Sequence, residues 1–568
     1  MFATACGAVK SPSNPGDDDA GGGGACPAGA TCACSVATQA TDCATHEVCD
    51  TTSTPGRVCA CAPAYAKDGT GACAFAGAPA DPKMSDATVW APTGTGASID
   101  ATLPGNVDPG EAVINHDGLC GYASLSQTFT MPPVDRAEPF KVVVTHTGVE
   151  AIKQFDLSGA MLSIGVGGQW TDLAVPLNVY RTDSFCLGPA AYGGPIKFQV
   201  AMFGGSNANC SAGVMPASIV KVDQLAVQVA DPGECPMPGT VMNGNFETAT
   251  GWTFTTVQGT ATGAIVAGTG ESGSAGAQLA GTDRCSEEMM TGQVSMPTRA
   301  EIANPAVDLY WNGTSGERLV FQLGGKNIAT LNATGTAGHS RICVPAWAAG
   351  NATSIGLLMA RHSDNACTTA YSQSFTIDNL TIVNDPACTA TGDLTDPGFE
   401  RVANLTGPAT GWGTLHDYVN DLQGLYTNAL NSVGLAHAGN GSLRLIWDNP
   451  CTQFNSGGAD FSLIVPAPSG VAGPAVTFFA NVPATNTMTE ARVSLLPLPL
   501  GATAYFTSPP TGAYAAHTLC LPPALAGRRI TLRASLGDSG GGCGASPTSE
   551  TAVFDDFNVT TDPACAAH

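Results

Sequence analysis

The chain has 568 residues, of which only 12% are charged, with 46 acidic against 22 basic side chains and a formal net charge of −24. That length calls for several domains, each with its own core, and that charge weighs against nucleic acid or an anionic membrane surface as partner. Scarce aromatics (7%) with 69 Gly and 39 Pro exclude long amphipathic helices in favour of short strands joined by many turns.

Residues 1–25 open with MFATACGAVK and continue as SPSNPGDDDAGGGG, a low-complexity linker of the tethering kind. The run Ala3-Thr4-Ala5-Cys6-Gly7 resembles the tail of a bacterial lipoprotein signal, and the resemblance implies lipidation of Cys6. A start codon further upstream would complete the signal; otherwise Cys6 is a lone thiol. No run of the roughly 20 apolar residues needed for a membrane-spanning helix occurs. With 21 cysteines the expected location is extracellular, either on a bacterial surface as an outer-membrane lipoprotein or secreted.

Residues 26–78 hold eight cysteines, too dense for an apolar core to be the main support. Cys34, Cys43, Cys49, Cys59, Cys61 and Cys73 follow a spacing that resembles an EGF-like module. The resemblance implies the pairs Cys34–Cys49, Cys43–Cys59 and Cys61–Cys73, leaving Cys26–Cys32. Two half-modules remain an alternative, because C-x5-C-x-C-x8-C echoes the later C-x9-C-x-C-x11-C. The acidic residues of calcium-binding EGF modules are missing before Cys34, so a spacer without metal is expected here.

Twelve further cysteines fall into three sets with gaps of 66, 24 and 25, then 58, 24 and 21, then 69, 23 and 22. They mark three repeats at 79–236, 237–389 and 390–568. Each second cysteine lies in SFCLGP, RICVPA or TLCLPP, and each fourth closes DPGEC, DPAC or DPAC. DPKMSDATVW, NGNFETATGW and DPGFERVANLTGPATGW open the repeats, with Met84, Phe246 and Phe399 as core anchors of a first strand. The shared Trp90, Trp252 and Trp412 belong with packing. Alternating segments such as KVVVTHT, RLVFQLGG and ITLRASL predict about eight antiparallel strands per repeat, packed as two sheets. The fold class is therefore all-β: three tandem antiparallel jelly-roll sandwiches behind a small disulfide-rich module.

An opening N-G-x-F-E, a Trp soon after and a closing I/F-D-[DN]-[LF]-x-[VI] resemble the galactose-binding jelly rolls of the family 4/9 carbohydrate-binding modules, most closely in the second and third repeats. The resemblance implies a structural calcium held by Glu247 with Asp378 and by Glu400 with Asp555, from strands meeting at a sheet edge. The first repeat sets Ser85 opposite Asp223, so its site is expected empty or weak. Surface carboxylates that cap turns are the other reading.

Antiparallel order places loops alternately at the two poles of a sandwich, and a disulfide can join only cysteines at one pole. This predicts Cys120–Cys210 and Cys186–Cys235, then Cys285–Cys367 and Cys343–Cys388, then Cys451–Cys543 and Cys520–Cys565. No H-E-x-x-H, G-x-S-x-G or phosphate loop occurs, the histidines do not recur between repeats, and the adjacent Asp555 and Asp556 point to opposite faces of a strand, so no enzyme is expected. Sugar recognition needs exposed aromatic platforms; Tyr310, Trp311, Trp170, Tyr180 and Trp447 are the candidates. The expected function is non-catalytic, surface-anchored binding of glycan. The alternative is a structural or adhesive lipoprotein whose modules are rigid spacers presenting faces to a cell-surface protein.

Overall fold

The computed structural model describes most of residues 34–388 and 413–565; outside the description lie 1–33, 117–121, 150–160, 204–217, 389–412, 415–426, 448–457, 497–504, 539–549, 566–568 and some shorter runs. Cys6, Cys26–Cys32, Cys120–Cys210, Cys451–Cys543, Phe399, Glu400 and Trp412 fall there. The chain divides into two compact units, one up to Ala76 and one from Gly77.

In the first unit β1 (Glu47–Asp50) pairs with β2 (Val58–Cys61), and β3 (Tyr65–Lys67) with β4 (Cys73–Phe75), both antiparallel. Disulfides join Cys34 to Cys49, Cys43 to Cys59 and Cys61 to Cys73. Cys43, Cys49 and Cys59 are themselves the buried cluster. Each bridge closes a loop of 12 to 16 residues, a constraint of about 3 kcal/mol on the unfolded chain.

The second unit holds three sandwiches of one topology. The first is built from β5 (Ala91–Thr93), β6 (Ala97–Asp100), β7 (Glu111–His116), β8 (Tyr122–Met131), β9 (Phe140–Gly148), β10 (Met161–Val166), β11 (Gln169–Ala174), β12 (Arg181–Cys186), β13 (Gly194–Phe203) and β14 (Ser218–Val229). Its sheets run β5-β8-β13-β10-β11 and β6-β7-β14-β9-β12. The second comprises β15 (Trp252–Gln258), β16 (Ala261–Val266), β17 (Gly276–Asp283), β18 (Glu287–Ser295), β19 (Pro305–Gly313), β20 (Arg318–Leu323), β21 (Lys326–Asn332), β22 (Gly338–Cys343), β23 (Ala352–Met359) and β24 (Ala370–Asn384). The third comprises β25 (Gly413–Thr414), β26 (Thr427–Asn431), β27 (Leu443–Trp447), β28 (Gly458–Ile464), β29 (Gly473–Asn481), β30 (Thr489–Leu496), β31 (Tyr505–Ser508), β32 (Tyr514–Cys520), β33 (Arg529–Asp538) and β34 (Glu550–Asp562). The sheet order of the first is repeated strand for strand in both.

Among the described residues each sandwich thus has ten strands, where alternation alone predicts about eight. The last eight form the two four-stranded sheets of a jelly roll, and two leading strands are added at the sheet edges. These additions leave little trace in the sequence: β5 is three exposed residues, as short edge strands tend to be. The inner faces carry the two-residue period. In the second sandwich Met290 and Val294 of β18, with Ile355, Leu357 and Met359 of β23, meet Ala277 and Leu279 of β17 and Phe375 and Ile377 of β24, all buried in one core.

In the first two repeats the opening decapeptide is a loop rather than a strand, a correction to the sequence reading; the corresponding segment of the third lies outside the described residues. Strand structure begins only at Ala91 and at Trp252. The loop is closed by its own tryptophan: the Trp90 indole N–H donates to the Asp81 carbonyl at 3.1 Å, and that of Trp252 to the Asn243 carbonyl at 3.0 Å. Met84 and Phe246 are fully buried between these ends, with φ of 54° and 53°, left-handed values that a bulky residue adopts only when its surroundings impose them.

Disulfides repeat with the topology. Cys186–Cys235, Cys343–Cys388 and Cys520–Cys565 each join the end of an edge strand (β12, β22, β32) to the residues following the last strand, and Cys285–Cys367 joins the loop after β17 to the loop before β24. Among the described residues no helix is long and apolar enough to cross a membrane.

Candidate functional site

The acidic position shared by the repeats lies at a β-bulge in the central strand of its sheet, not at a sheet edge as the family resemblance implies. Asp223 sits at the register shift of β14 on β9, Asp378 at that of β24 on β19, and Asp555 at that of β34 on β29. The next residue, Asn379 or Asp556, has φ of 50°, a left-handed conformation that Asn and Asp tolerate well. That is the physical content of the D-[DN] motif. Each aspartate staples the loop between the second and third strands of its sandwich. Asp378 accepts from the Glu271 N–H (2.8 Å), the Ser274 hydroxyl (2.6 Å) and the Asn379 N–H (2.7 Å). Asp555 accepts from the His437 N–H (2.7 Å) and the Asp556 N–H (2.8 Å), and Asp223 from the Asn106 N–H (2.9 Å).

Glu247, Asp378 and Asp555, the described members of the expected pairs, do not fit a calcium site. Asp378 and Asp555 are fully buried, and their oxygens face N–H and O–H donors, the opposite of what a cation's oxygen shell requires. Glu247 is exposed and accepts from the Ala275 N–H, at 3.3 Å. Among the described residues the one cluster with metal-ligand spacing is Cys34, Cys43 and Cys59, whose sulfurs are committed to disulfides.

The aromatic candidates separate by environment. Trp311 is half-buried, donates its indole N–H to Ser340 Oγ at 2.8 Å and stacks on Phe375, so it closes the core. Tyr310, its neighbour on β19, meets the His339 ring edge-on at 5.6 Å. Here Glu271 accepts from Asn379 Nδ2 (2.6 Å) and pairs with His339 (3.1 Å); these contacts hold its carboxyl below its ordinary value, and the same pairing raises the imidazole. The Tyr180 hydroxyl donates to Glu111, which also pairs with Lys221 at 2.8 Å; burial, then that hydrogen bond, push the phenol up. Trp447 ends β27, and its side chain lies outside the described residues.

Trp170 differs from all of these. It stands on β11 across from Gly165 of β10, with its ring 2.9 Å from where a Cβ of Gly165 would lie, so the indole rests flat on bare backbone. It also lines a cleft of about 420 Å³ between the first and second sandwiches. One wall is Lys141, Gln169, Trp170, Thr171 and the end of β12 with Cys186–Cys235; the other is Gln293, Asn351 and the start of β23.

Two glycines bring the walls together. A Cβ on Gly188 would lie 2.4 Å from the Gly350 carbonyl oxygen and the Ala352 nitrogen, and one on Gly350 would lie 2.9 Å from Ala190 Cβ. The Ala190 N–H donates to the Gly350 carbonyl at 2.8 Å across the joint. Buried Gln169 ties the parts together: its Nε2 donates to the Cys186 carbonyl (3.0 Å), and its Oε1 accepts from the N–H of Gly188 (2.8 Å) and of Ala352 (3.4 Å). Lys141 donates to Glu234 at 2.6 Å, and this hydrogen bond raises the ammonium and lowers the carboxyl.

The sequence reading singled out Trp170 but not Gln169, Lys141, Glu234, Gln293 or Asn351. A signal for Glu234 was present: once Cys186 bonds Cys235, the motifs SFCLGP and DPGEC must share one place. The second sandwich's contribution left no such trace.

No family model matches the chain, and no curated protein matches it. Among solved structures it is similar to a family 61 carbohydrate-binding module in complex with β-1,4-galactotriose, at 15% identity and a TM-score of 0.21 over 30% of this chain and 100% of that one. It is similar to the CBM22-1–CBM22-2 tandem of Paenibacillus barcinonensis Xyn10C, at 14% identity and a TM-score of 0.21 over 56% of this chain and 95% of that one. A family 11 carbohydrate-binding module of Clostridium thermocellum Lic26A-Cel5E aligns at 14% identity with a TM-score of 0.20, over 26% of this chain and 95% of that one.

Proposed function

We propose that this is a non-catalytic glycan-binding protein of an oxidising, extracellular setting, and that its ligand lies in the cleft between the first and second sandwiches. The observation that carries the reading is Trp170 laid flat on Gly165 at the wall of that cleft. A flat aromatic face offers an apolar surface to a sugar ring, and the surrounding amides and hydroxyls can meet the ring's own hydroxyls. The volume of about 420 Å³ is within the range of small-molecule sites, roughly 300 to 1,000 Å³. Among the described residues the cleft lining presents one carboxylate, Glu234, already held by Lys141, whereas hydrolysis of a glycosidic bond calls for two. Disulfides in both units fit a secreted or surface protein, and lipidation at Cys6 would supply an anchor.

The test is a glycan array followed by calorimetric titration on the whole chain, with Trp170→Ala beside the wild type. Saturable sugar binding that weakens at least about tenfold in the variant, at unchanged melting temperature, supports the reading. A second reading, the modules as rigid spacers presenting faces to a cell-surface protein, draws on the backbone hydrogen bond and close glycine contacts of the joint. Silence across the array would favour it.

A further inference from the structure

We infer that the Lys141–Glu234 ion pair sets the specificity of the cleft, keeping it electrically neutral so that it takes uncharged sugars and excludes carboxylated ones. The inference rests on the glycan reading above and deepens it. Among the described residues lining the cleft, Lys141 and Glu234 are the only charged ones; the others are amides, hydroxyls, aromatic rings, the cystine and an alanine. The pair is close, 2.6 Å between Lys141 Nζ and Glu234 Oε2, and the lysine side chain is only 14% exposed. Both partners are held from behind. Lys141 follows Phe140 at the start of β9, which is paired on both sides by β12 and β14, and Glu234 sits next to Cys235, which is bonded to Cys186 at the end of β12. The Glu234 carboxylate also accepts from the Asp231 N–H at 3.1 Å, which fixes its rotamer toward the lysine.

A uronic carboxylate entering the cleft would meet the ammonium and the carboxylate together. Attraction to one is nearly cancelled by repulsion from the other at similar distance, and the net charge of −24 adds repulsion at longer range. A neutral ring loses nothing to this field, and its hydroxyls can bond to Gln293, Asn351, Thr353 or Ser354. The other acidic neighbour, Asp231, lies 3.6 Å from Lys141 but is 86% exposed, so solvent screens it. Removing the Glu234 charge would therefore leave an ammonium in the cleft with only a rim partner, ready for a ligand carboxylate.

The experiment measures Kd on the full chain for neutral trisaccharides and for trigalacturonate, in wild type, Glu234→Gln and Lys141→Met. Glutamine keeps the size of the side chain and an acceptor for the Asp231 N–H. The expected result is neutral-sugar binding by the wild type, and a shift of the uronate-to-neutral affinity ratio by about tenfold or more toward uronate in Glu234→Gln. Lys141→Met, which leaves Glu234 unpaired, should sharpen the exclusion of uronate. A wild type that binds neutral sugars, with a ratio unmoved in both variants, would overturn the inference and leave the glycan reading standing. A wild type that prefers trigalacturonate would do the same. If neither wild type nor variants bind any sugar, both fall together. Should Glu234→Gln fail to fold, the Lys141→Met ratio decides alone.

Discussion

Asp555 shows what one buried carboxyl can do to a module. Burial pushes it up to about 6 from an ordinary value of 3.8, against the backbone N–H groups of His437, Asp556 and Ala438 that pull it down. An acid whose value is raised on folding binds its proton more tightly in the folded state. The third sandwich therefore gains stability as pH falls from about 6 to about 4 and loses it as pH rises through the same window. Asp555→Asn should flatten that slope, read as melting temperature between pH 4 and 7, and an identical slope in wild type and variant would refute the assignment. The motif foretold an acidic residue here in every repeat. It did not foretell that the carboxyl would be sealed inside a sheet, because burial depends on strand order rather than on neighbours in sequence.

At the scale of the element, the bulge is the organising device. In the second sandwich the N–H of Leu380 donates to the Gly244 carbonyl at 2.8 Å, tying the bulge of β24 to the opening loop, while Asp378 holds the loop between β16 and β17. In the first sandwich Leu225 bonds to the Pro82 carbonyl at the equivalent place, also at 2.8 Å. One irregular point in a central strand thus fixes two segments far away in sequence. Asp378→Ala would leave two N–H groups and a hydroxyl without their acceptor, a loss of about 3 kcal/mol. In thermal melts of the same chain a calcium chelator should leave the wild type unmoved. A wild-type midpoint lowered by the chelator, with that shift absent in Asp378→Ala, would reverse the assignment and restore a metal. The resemblance pointed at the residue that the structure sets against N–H and O–H donors, since a carboxylate in a sequence looks the same whether a cation or an N–H group faces it.

On the scale of the whole molecule, the candidate site belongs to no single module. Trp170 comes from the first sandwich, Gln293 and Asn351 from the second, and Gln169 bonds to both. Gly188→Val should open the joint, because its side chain would collide with the Gly350 carbonyl and the Ala352 nitrogen. The expected outcome is loss of sugar binding with both sandwiches still folded, seen as separate calorimetric transitions where the wild type melts as one. Unchanged binding with a single transition would show that the joint tolerates separation.

The cysteine spacing was enough to mark three copies of one β-sandwich, because a disulfide needs its partners at one pole and antiparallel order decides which loops reach it. Alternation of apolar residues was enough to place the inner faces, since the two-residue period is local to a strand. What only the tertiary structure decided is the pairing of modules. The leading edge strands, the bulge and the cleft all arise where segments distant in sequence approach within hydrogen-bond reach. At Gly188 and Gly350 the decisive feature is the absence of a side chain, and its meaning appears only when a second sandwich stands against it.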